Sequence, residues 1–233
     1  MSRRAILFAN GELTDADTIR SLIQADDVII CADGGARHAL ALDLKPDLVV
    51  GDLDSISSDD LRELQQLGCQ IEQHPVDKDA TDLELALLAV ERLAIEEVIL
   101  VAALGGRLDQ ALGNLMLMAS PSFANLRLTL VDGRQTAGIV RDQITITGEV
   151  GDTVSTLALS PTVEGLTYHS GLRWPLRDFT LPFGSTRGIS NEMTEDRAHI
   201  SLCSGILLVI HTTSSMNKGS KINDQGNLSQ RNP

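Results

Sequence analysis

The sequence is poor in aromatic side chains and in cysteine, and each shortage excludes a class of protein. Aromatic residues make up only 3% of the 233 positions, so the core must be built from aliphatic side chains. The three cysteines, Cys31, Cys69 and Cys203, are too few and too widely spaced for a disulfide framework or a zinc site. We expect Cys31 and Cys69 to be buried thiols in a reducing compartment.

Basic charge and long apolar runs are also scarce. The 19 Lys and Arg residues are outnumbered by 32 Asp and Glu, which gives a net charge of −13. That balance argues against non-specific binding of nucleic acid and against docking on anionic lipid. The N-terminal apolar run is too short for a signal peptide, and the apolar region 83–104 is interrupted by charged residues. We therefore expect a cytoplasmic protein with no nucleic acid and no membrane as partner.

The first half of the chain alternates short apolar runs with segments of helical period. Strands are predicted over 4–9, 27–31, 47–50, 69–73 and 97–102. Helices are predicted over 15–24, 34–42, 58–67, 81–94 and 108–119. The fourth helix opens with a capping-box pattern, Thr81 to Glu84. Such alternation predicts an α/β fold with a mostly parallel sheet and helices on both of its faces.

The second half of the chain has a different texture from about Pro121 onward. Its strand-like segments are LRLTLVD, TAGIV, QITIT, DTVSTLALS, VEGLTYH, AHISLC and GILLVIH, separated by Gly, Pro and Asp. This pattern is typical of a small all-β sandwich or barrel. We predict an α/β domain over 1–122, a β-sandwich over 123–213 and a disordered polar tail over 214–233.

Ligands of an open α/β sheet bind at the carboxyl ends of its strands, so the loops there carry the functional interpretation. Asp33, Gly34 and Gly35 follow the second strand, where glycines allow close backbone approach and amides at a helix start suit an anion. A simple turn with an Asp N-cap explains the same residues.

Two carboxylates, Asp52 and Asp54, follow the third strand. In an extended segment, residues two apart point the same way, so the pair could share one hard cation or hold two. Oxygen ligands without His or Cys favour Mg²⁺ over zinc. The alternative is a solvated acidic turn before the next helix.

Three further carboxylates surround a lysine after the fourth strand, in the segment DKDATD. Thr81 is explained as an N-cap, and Asp82 as an acid in the first helical turn. That explanation leaves Asp77, Lys78 and Asp79 without a structural reason.

The loop after the fifth strand places two glycines before an arginine at a helix start. The amides of Gly105 and Gly106, with the guanidinium of Arg107, are a reasonable phosphate cradle, and Asp109 follows in the first helical turn. A tight turn with a capping Asp explains the glycines but leaves Arg107 unexplained.

These four loops lie on one edge of one predicted sheet and together favour a Mg²⁺–polyphosphate site. The sequence has no GxxxxGK[ST] motif, so it is not a P-loop enzyme. A receiver-type signalling domain would need an acidic pair after the first strand and a lysine after the fifth, where this chain has NGE and two glycines.

Five segments, in this order, resemble the thiamine pyrophosphokinase family: CADGGA, PDLVVGDLDSI, DKDATDLELAL, LGGRLDQALGN and STRGISNEM. The resemblance covers residues 5 to 211. It implies an α/β catalytic domain, a C-terminal β-sandwich, and a homodimer whose active sites lie between the α/β domain of one subunit and the β domain of the other. It also implies transfer of the diphosphate of ATP to the hydroxyl of thiamine, giving thiamine diphosphate and AMP.

The resemblance also implies roles for individual residues. The Mg²⁺ and ATP-phosphate group would be Asp52, Asp54 and Asp82. The nucleotide site would include Asp33, Gly34, Gly35, Lys78, Asp79, Thr81, Gly105 and Gly106. Arg107 and Asp109 would face the reacting phosphates and thiamine, and Trp174, Ser190 and Asn191 would line the thiamine pocket. Trp174 has an alternative role as an anchor of the β core.

The protein as a whole has an alternative function, as a diphosphokinase of another small alcohol such as a pterin or as a Mg²⁺-nucleotide hydrolase.

Overall fold

The computed structural model describes residues 3–214 and the strand at 221–224. Its contacts divide the chain into two compact units, Met1–Gly133 and Arg134–Pro233. The sequence-predicted boundary lies earlier, after residue 122. The difference arises because one more strand completes the sheet of the first unit before the chain enters the second.

The first unit alternates strands and helices throughout. Its strands are β1 (Arg4–Phe8), β2 (Val28–Ala32), β3 (Leu48–Gly51), β4 (Gln70–Gln73), β5 (Glu97–Val101) and β6 (Arg127–Asp132). Its α-helices are α1 (Ala16–Leu22), α2 (Ala36–Ala41), α3 (Ser58–Gln66), α4 (Asp82–Arg92) and α5 (Leu108–Met118). All five strands and five helices predicted for this half are confirmed.

The six strands of the first unit form one parallel sheet in the order β6-β5-β1-β2-β3-β4. The chain proceeds outward from β1 to β4, then returns to the other side of β1 for β5 and β6. The strand order therefore reverses between β1 and β5. Such a switch point opens a crevice at the carboxyl edge of a sheet.

The helix starts are set by side chains that accept backbone hydrogen bonds. Thr81 caps α4 by accepting from the N–H of Glu84 at 3.2 Å, which confirms the predicted start. Ser57 caps α3 in the same way, and Asp15 caps α1. Within the described part of the chain, no helix combines the length and the apolarity that crossing a bilayer requires.

The second unit is built from antiparallel strands. They are β7 (Gln135–Val140), β8 (Gln143–Thr147), β9 (Thr153–Ala158), β10 (Thr162–Ser170), β11 (Phe179–Pro182), β12 (Asn191–Glu192), β13 (Arg197–Ser201), β14 (Leu207–Thr212) and β15 (Lys221–Asp224). One sheet has the order β12-β9-β14-β7, and the other has the order β11-β10-β13-β8-β15.

Apolar side chains from both sheets pack together into one core, including Val154, Leu166, Ile200 and Leu207. Buried and more exposed residues alternate along β9 and β13, so each sheet has one buried face, as expected for a sandwich. The predicted fold class is confirmed: a parallel α/β unit is followed by a β-sandwich. One detail differs: the sequence pattern places the segment LRLTLVD in the all-β half, whereas in the structure it forms β6, parallel to β5.

The predicted disordered tail contains one strand. Residues 221–224 form β15, which pairs antiparallel to β8. The tail residues 215–220 and 225–233 lie outside the described residues. The prediction of disorder is therefore wrong for β15.

A buried hydrogen bond joins the last long strand of the sandwich to a neighbouring turn. His211 Nε2 lies 2.9 Å from Asp152 Oδ2, and both side chains are at most 2% exposed. Asp152 also accepts from the backbone N–H groups of Glu149 and Ser214, each at 2.8 Å. Although burial acts in the opposite direction, these hydrogen bonds hold the pKa of Asp152 below its ordinary value.

Asp152→Asn is expected to lower the free energy of unfolding by about 3 kcal/mol at pH 7, because an amide cannot accept all these hydrogen bonds as a carboxylate does. Urea titration measures the loss, with the exposed Asp142→Asn as control. A carboxyl group whose pKa is lower in the folded than in the unfolded protein stabilises the folded state at pH values above its unfolded pKa of about 3.9. This stabilisation is lost as the pH falls through the pKa of the folded state. The difference between wild type and variant should therefore shrink below about pH 4, and a constant difference would contradict this role.

Candidate active site

Polar side chains line a cleft at the carboxyl edge of the parallel sheet. The cleft has a volume of about 640 Å³ and is bordered by the ends of β1, β2, β3 and β5 and by the start of α4. The loops after β1 and β5 are joined there by backbone hydrogen bonds, from Gly11 N–H to the Ala102 carbonyl and from Glu12 N–H to the Leu104 carbonyl. The cleft thus lies at the point where the strand order reverses.

Three carboxylates that follow three different strands converge in this cleft. One oxygen from each of Asp33, Asp52 and Asp82 lies within 4.8 Å of the others, a spacing at which all three can bind one cation. Asp33 is only 3% exposed, and its Oδ1 has no hydrogen-bond partner in the described part of the chain. A buried carboxylate oxygen without a partner is costly, so this position favours a cation close to it.

Lys78 supplies a positive charge to this cluster. Its Nζ donates a hydrogen bond to Asp52 Oδ2 at 2.8 Å and forms an ion pair with Asp82 Oδ1 at 2.9 Å. The hydrogen bond from Lys78 lowers the pKa of Asp52. Burial raises the pKa of Asp82, although Lys78 acts in the opposite direction. One ammonium group is thus set against three carboxylates.

The local backbone explains how Asp33 and Asp82 come so close. Asp33 begins a 3-10 turn directly after β2 and has φ 46°, a left-handed conformation that Asp tolerates better than most residues. A Cβ atom on Gly51 would lie 2.8 Å from Asp33 Cβ and 3.2 Å from Asp82 Oδ1. Glycine at the end of β3 therefore leaves the space in which the two carboxylates meet.

The geometry predicted for Asp52 and Asp54 is wrong. Leu53 has φ 69°, so the segment is not extended and the two aspartates do not point the same way by alternation. Asp54 is exposed at the border of the cleft, where its N–H donates to Asp52 Oδ1 at 3.3 Å. The structure brings Asp33 into the carboxylate cluster, where the sequence placed Asp54.

Packing against backbone requires glycine at position 35, whereas at position 34 the close neighbour is the end of a side chain. A Cβ on Gly35 would lie 2.2 Å from the Phe8 carbonyl oxygen, and one on Gly34 would lie 2.5 Å from Asn10 Oδ1. Both glycines are buried against the end of β1.

The glycine-rich loop after β5 does border the cleft. Gly105 and Gly106 have φ of 88° and 65°, and Gly106 N–H donates to Glu12 Oε1 at 3.1 Å. Arg107 follows at the N-cap of α5, with its guanidinium paired to Asp109 at 2.6 Å; both side chains are about two-thirds exposed or more. Arg107 lines the cleft, whereas Asp109 lies beside it.

The segment between β4 and α4 contributes unequally. Lys78 and Asp82 reach the carboxylate cluster, and Thr81 both caps α4 and lines the cleft. Asp77 and Asp79 are exposed and do not line it.

Sequence reasoning missed several residues of the cleft. Asn10, Glu12, Arg37 and Asn114 line it, and Asn114 Nδ2 donates to the Ala103 carbonyl at 2.7 Å, which fixes α5 to the end of β5. The signal for Asn10 and Glu12 was available, because they follow β1 and the carboxyl end of every parallel strand reaches the same edge. Arg37 belongs to no sequence motif that would have indicated its position in the cleft.

A smaller pocket of about 270 Å³ lies in the sandwich unit. Trp174 lines it and is 55% exposed, so it does not anchor the core. Buried Asn191 fixes the Trp174 backbone from both sides, accepting from its N–H at 3.1 Å and donating to its carbonyl at 2.7 Å. Arg173 lies 5.4 Å from the Trp174 ring centroid, at a cation–π distance.

Ser190 is the third residue predicted for this pocket. It has φ 61°, and its N–H donates to Ser155 Oγ at 3.0 Å. Its side chain is exposed and does not line the pocket, which Arg187 and Ile189 border instead.

Comparison with known families assigns both units. The family description "Thiamin pyrophosphokinase, catalytic domain" matches residues 19–130, and "Thiamin pyrophosphokinase, vitamin B1 binding domain" matches residues 142–207. The chain belongs to the thiamine pyrophosphokinase family. The catalytic-domain match contains the carboxylate cluster, and the vitamin B1 binding match contains Trp174 and Asn191.

Individual thiamine pyrophosphokinases support this assignment. The protein of Bacillus subtilis strain 168 is 28% identical over 191 residues, which cover 79% of this chain and 86% of that protein. Thiamine pyrophosphokinase 1 of Arabidopsis thaliana is 28% identical over 206 residues, 78% of this chain and 76% of that protein. The crystal structure of the Bacillus subtilis thiamine pyrophosphokinase matches with a TM-score of 0.82 at 26% identity, over 91% of this chain and 100% of that one.

Proposed function

We propose that this chain transfers the diphosphate group of ATP to the hydroxyl of thiamine, giving thiamine diphosphate and AMP. The observation that carries the proposal is the carboxylate cluster of Asp33, Asp52 and Asp82, set in a cleft at the switch point of a parallel sheet within the region that matches the family's catalytic domain. The proposed enzyme is a kinase-type transferase.

Mg²⁺ fits the donor set of this cluster. The three side chains offer only oxygen ligands, and the buried Asp33 Oδ1 lacks a hydrogen-bond partner in the part of the chain that the structure describes. We propose that Asp33, Asp52 and Asp82 hold the ion, with Asp54 at the border of the site. A bound Mg²⁺ would neutralise charge on the phosphate oxygens during transfer.

The rest of the cleft suits a nucleotide triphosphate. Arg37 and Arg107 bring guanidinium groups to the cleft, beside the Gly105–Gly106 loop. These groups are suited to bind and orient phosphate oxygens, which is the main work of a site for in-line displacement. Gly34, Gly35, Lys78, Asp79 and Thr81 remain predicted members of the nucleotide site.

The pocket of the sandwich suits thiamine. Thiamine carries a positive charge on a flat aromatic ring, and the half-exposed Trp174 ring offers a face for stacking and for a cation–π contact. Asn191 fixes the Trp174 backbone, so the segment that carries the ring is held in place by the fold itself.

The proposal also covers the oligomeric state of the enzyme and its location in the cell. We propose a homodimer that acts in the cytoplasm, where the three free cysteines of the described residues would stay reduced. Light scattering coupled to size exclusion measures the mass: about twice 25.0 kDa is expected, and a monomer mass for an active sample would contradict the dimer.

A coupled assay for AMP release tests the activity. With folded protein, ATP and Mg²⁺, AMP should form only when thiamine is added. No thiamine-dependent AMP would overturn the proposal. AMP formed with a pterin alcohol instead, or phosphate release from ATP alone, would favour the alternative of another diphosphokinase or a nucleotide hydrolase.

A further inference from the structure

Lys78 occupies an unusual position for a residue of a nucleotide site. Its ammonium does not face the open cleft but lies between Asp52 and Asp82, 2.8 Å and 2.9 Å from one oxygen of each. The Lys78 side chain is only 14% exposed. Two of the three carboxylates that could bind one cation are therefore already in contact with a cation of the protein itself.

The ammonium group and a divalent ion compete for the same carboxylates. The carboxylate oxygens of Asp33, Asp52 and Asp82 lie within 4.8 Å of one another, and an ion bound by all three would sit between them. Lys78 does not satisfy the whole cluster. The buried Oδ1 atoms of Asp33 and Asp82 have no hydrogen-bond partner among the described residues, although Lys78 Nζ forms an ion pair with that of Asp82. A divalent ion brings twice the charge of an ammonium group and can bind all three carboxylates, so it is the better counterion for this cluster.

The segment that carries Lys78 can yield without unpacking a core. Residues 74–81 connect β4 to α4 and include the exposed Val76, Asp77 and Asp79. Val76 is 71% exposed. The following helix is fixed separately by its Thr81 cap and by its buried face. Moving the Lys78 side chain therefore disturbs no apolar packing of α4.

We propose that Lys78 acts as an internal counterion that divalent metal displaces: its ammonium neutralises Asp52 and Asp82 until the metal binds, and is then free to bind a phosphate oxygen of the nucleotide. Lys78 thereby couples metal binding to nucleotide binding. The displacement of Lys78 from Asp52 and Asp82 by metal is inferred from the contacts described above. The binding of Lys78 to a nucleotide phosphate rests on the proposed function.

Mn²⁺ binding to the full chain, without nucleotide or thiamine, tests the displacement. Lys78→Met removes the competing charge while keeping most of the side-chain volume, so Mn²⁺ should bind at least about tenfold more tightly than to wild type. Lys45→Met, at an exposed lysine before β3, should leave the affinity unchanged. Equal or weaker binding of Mn²⁺ to Lys78→Met would overturn the proposal.

Chemical labelling of the wild-type protein provides a measurement that needs no variant. Acetylation of each lysine is followed by mass spectrometry with and without Mg²⁺. Lys78 should become at least about threefold more reactive when Mg²⁺ is present, because its amine leaves the two carboxylates, while Lys45 should not change. If Lys78 stays equally protected at Mg²⁺ concentrations that saturate the protein, the ammonium is not displaced and the proposal fails.

The coupling to nucleotide is measured by ATP binding without thiamine. Mg²⁺ should strengthen ATP binding to wild type by a larger factor than it does for Lys78→Met, since the variant has no ammonium to release. Equal factors would overturn the coupling. None of these measurements uses AMP formation, so a protein that shows the exchange but makes no thiamine diphosphate would refute the proposed function alone.

Discussion

Asp33→Asn is expected to lower turnover by about a thousandfold while leaving the unfolding temperature equal to or above that of the wild type. Asp33 contributes a carboxylate to the proposed metal site, and losing about 4 kcal/mol of charge stabilisation in the transition state corresponds to that factor. The stability should not fall, because the substitution removes one of three clustered negative charges. Steady-state kinetics and thermal unfolding without metal measure the two effects.

Asparagine is the appropriate replacement for two reasons. It has nearly the shape of aspartate, and it tolerates the left-handed backbone at φ 46°. It also replaces a buried carboxylate oxygen that has no hydrogen-bond partner among the described residues with a neutral amide, which costs less to bury.

Asp43→Asn is a matched control for this experiment. Asp43 also has a left-handed backbone, at φ 58°, but it is exposed and does not line the cleft. This variant should keep both turnover and stability. If Asp33→Asn instead unfolds at a much lower temperature and retains turnover in the fraction that is folded, Asp33 is a structural residue and the metal site is wrongly placed.

Trp174→Ala is expected to raise the KM for thiamine by about ten- to hundredfold and to leave the KM for ATP unchanged. The Trp174 ring is 55% exposed on the border of the sandwich pocket, and Arg173 already places a cation 5.4 Å from its centroid. A cation–π contact of up to about 2 kcal/mol, together with the lost apolar contact area, accounts for a factor of this size. Initial rates with each substrate varied separately measure the two KM values.

Two further variants isolate the role of the ring. Trp174→Phe should retain part of the affinity, because phenylalanine keeps an aromatic face with a weaker quadrupole. Phe183→Ala removes another exposed aromatic residue of the same unit, 66% exposed, that does not line the pocket, and should change neither KM. A similar rise in both KM values for Trp174→Ala would show that Trp174 supports the fold and does not bind thiamine.

The α/β unit could be predicted from the sequence because its apolar periods are regular. The five strands and five helices differ from the observed bounds by at most a few residues. Strand β6 was misplaced for a physical reason: an alternating apolar segment after a proline is equally compatible with a sandwich strand and with the edge of a parallel sheet. Its partner decides the outcome, and pairing with β5 is not encoded in the local pattern.

Short strands of the sandwich could not be predicted. Strand β12 consists of only Asn191 and Glu192, and its place in the sheet comes from pairing with β9. Strand β15 lies in a polar segment with no apolar alternation, yet its backbone pairs with β8. Backbone hydrogen bonding to an existing sheet edge does not require an alternating apolar pattern in the sequence.

The sequence predicts which loops form the candidate site better than it predicts which of their side chains meet there. Parallel strands bring their carboxyl ends to one edge, which is why Asp52, Asp82 and Lys78 do meet. Backbone conformation decides the rest. The left-handed Leu53 turns Asp54 away from the cluster, and the left-handed Asp33 turns inward, and neither residue type reveals this by itself.

Analysis of the reaction products by mass spectrometry tests the central claim most directly. With ATP, Mg²⁺ and thiamine, the folded chain should produce AMP and thiamine diphosphate in equal amounts, with both transferred phosphorus atoms coming from the β and γ positions of ATP. Formation of ADP with thiamine monophosphate, or of AMP with thiamine left unmodified, would contradict diphosphate transfer by this protein.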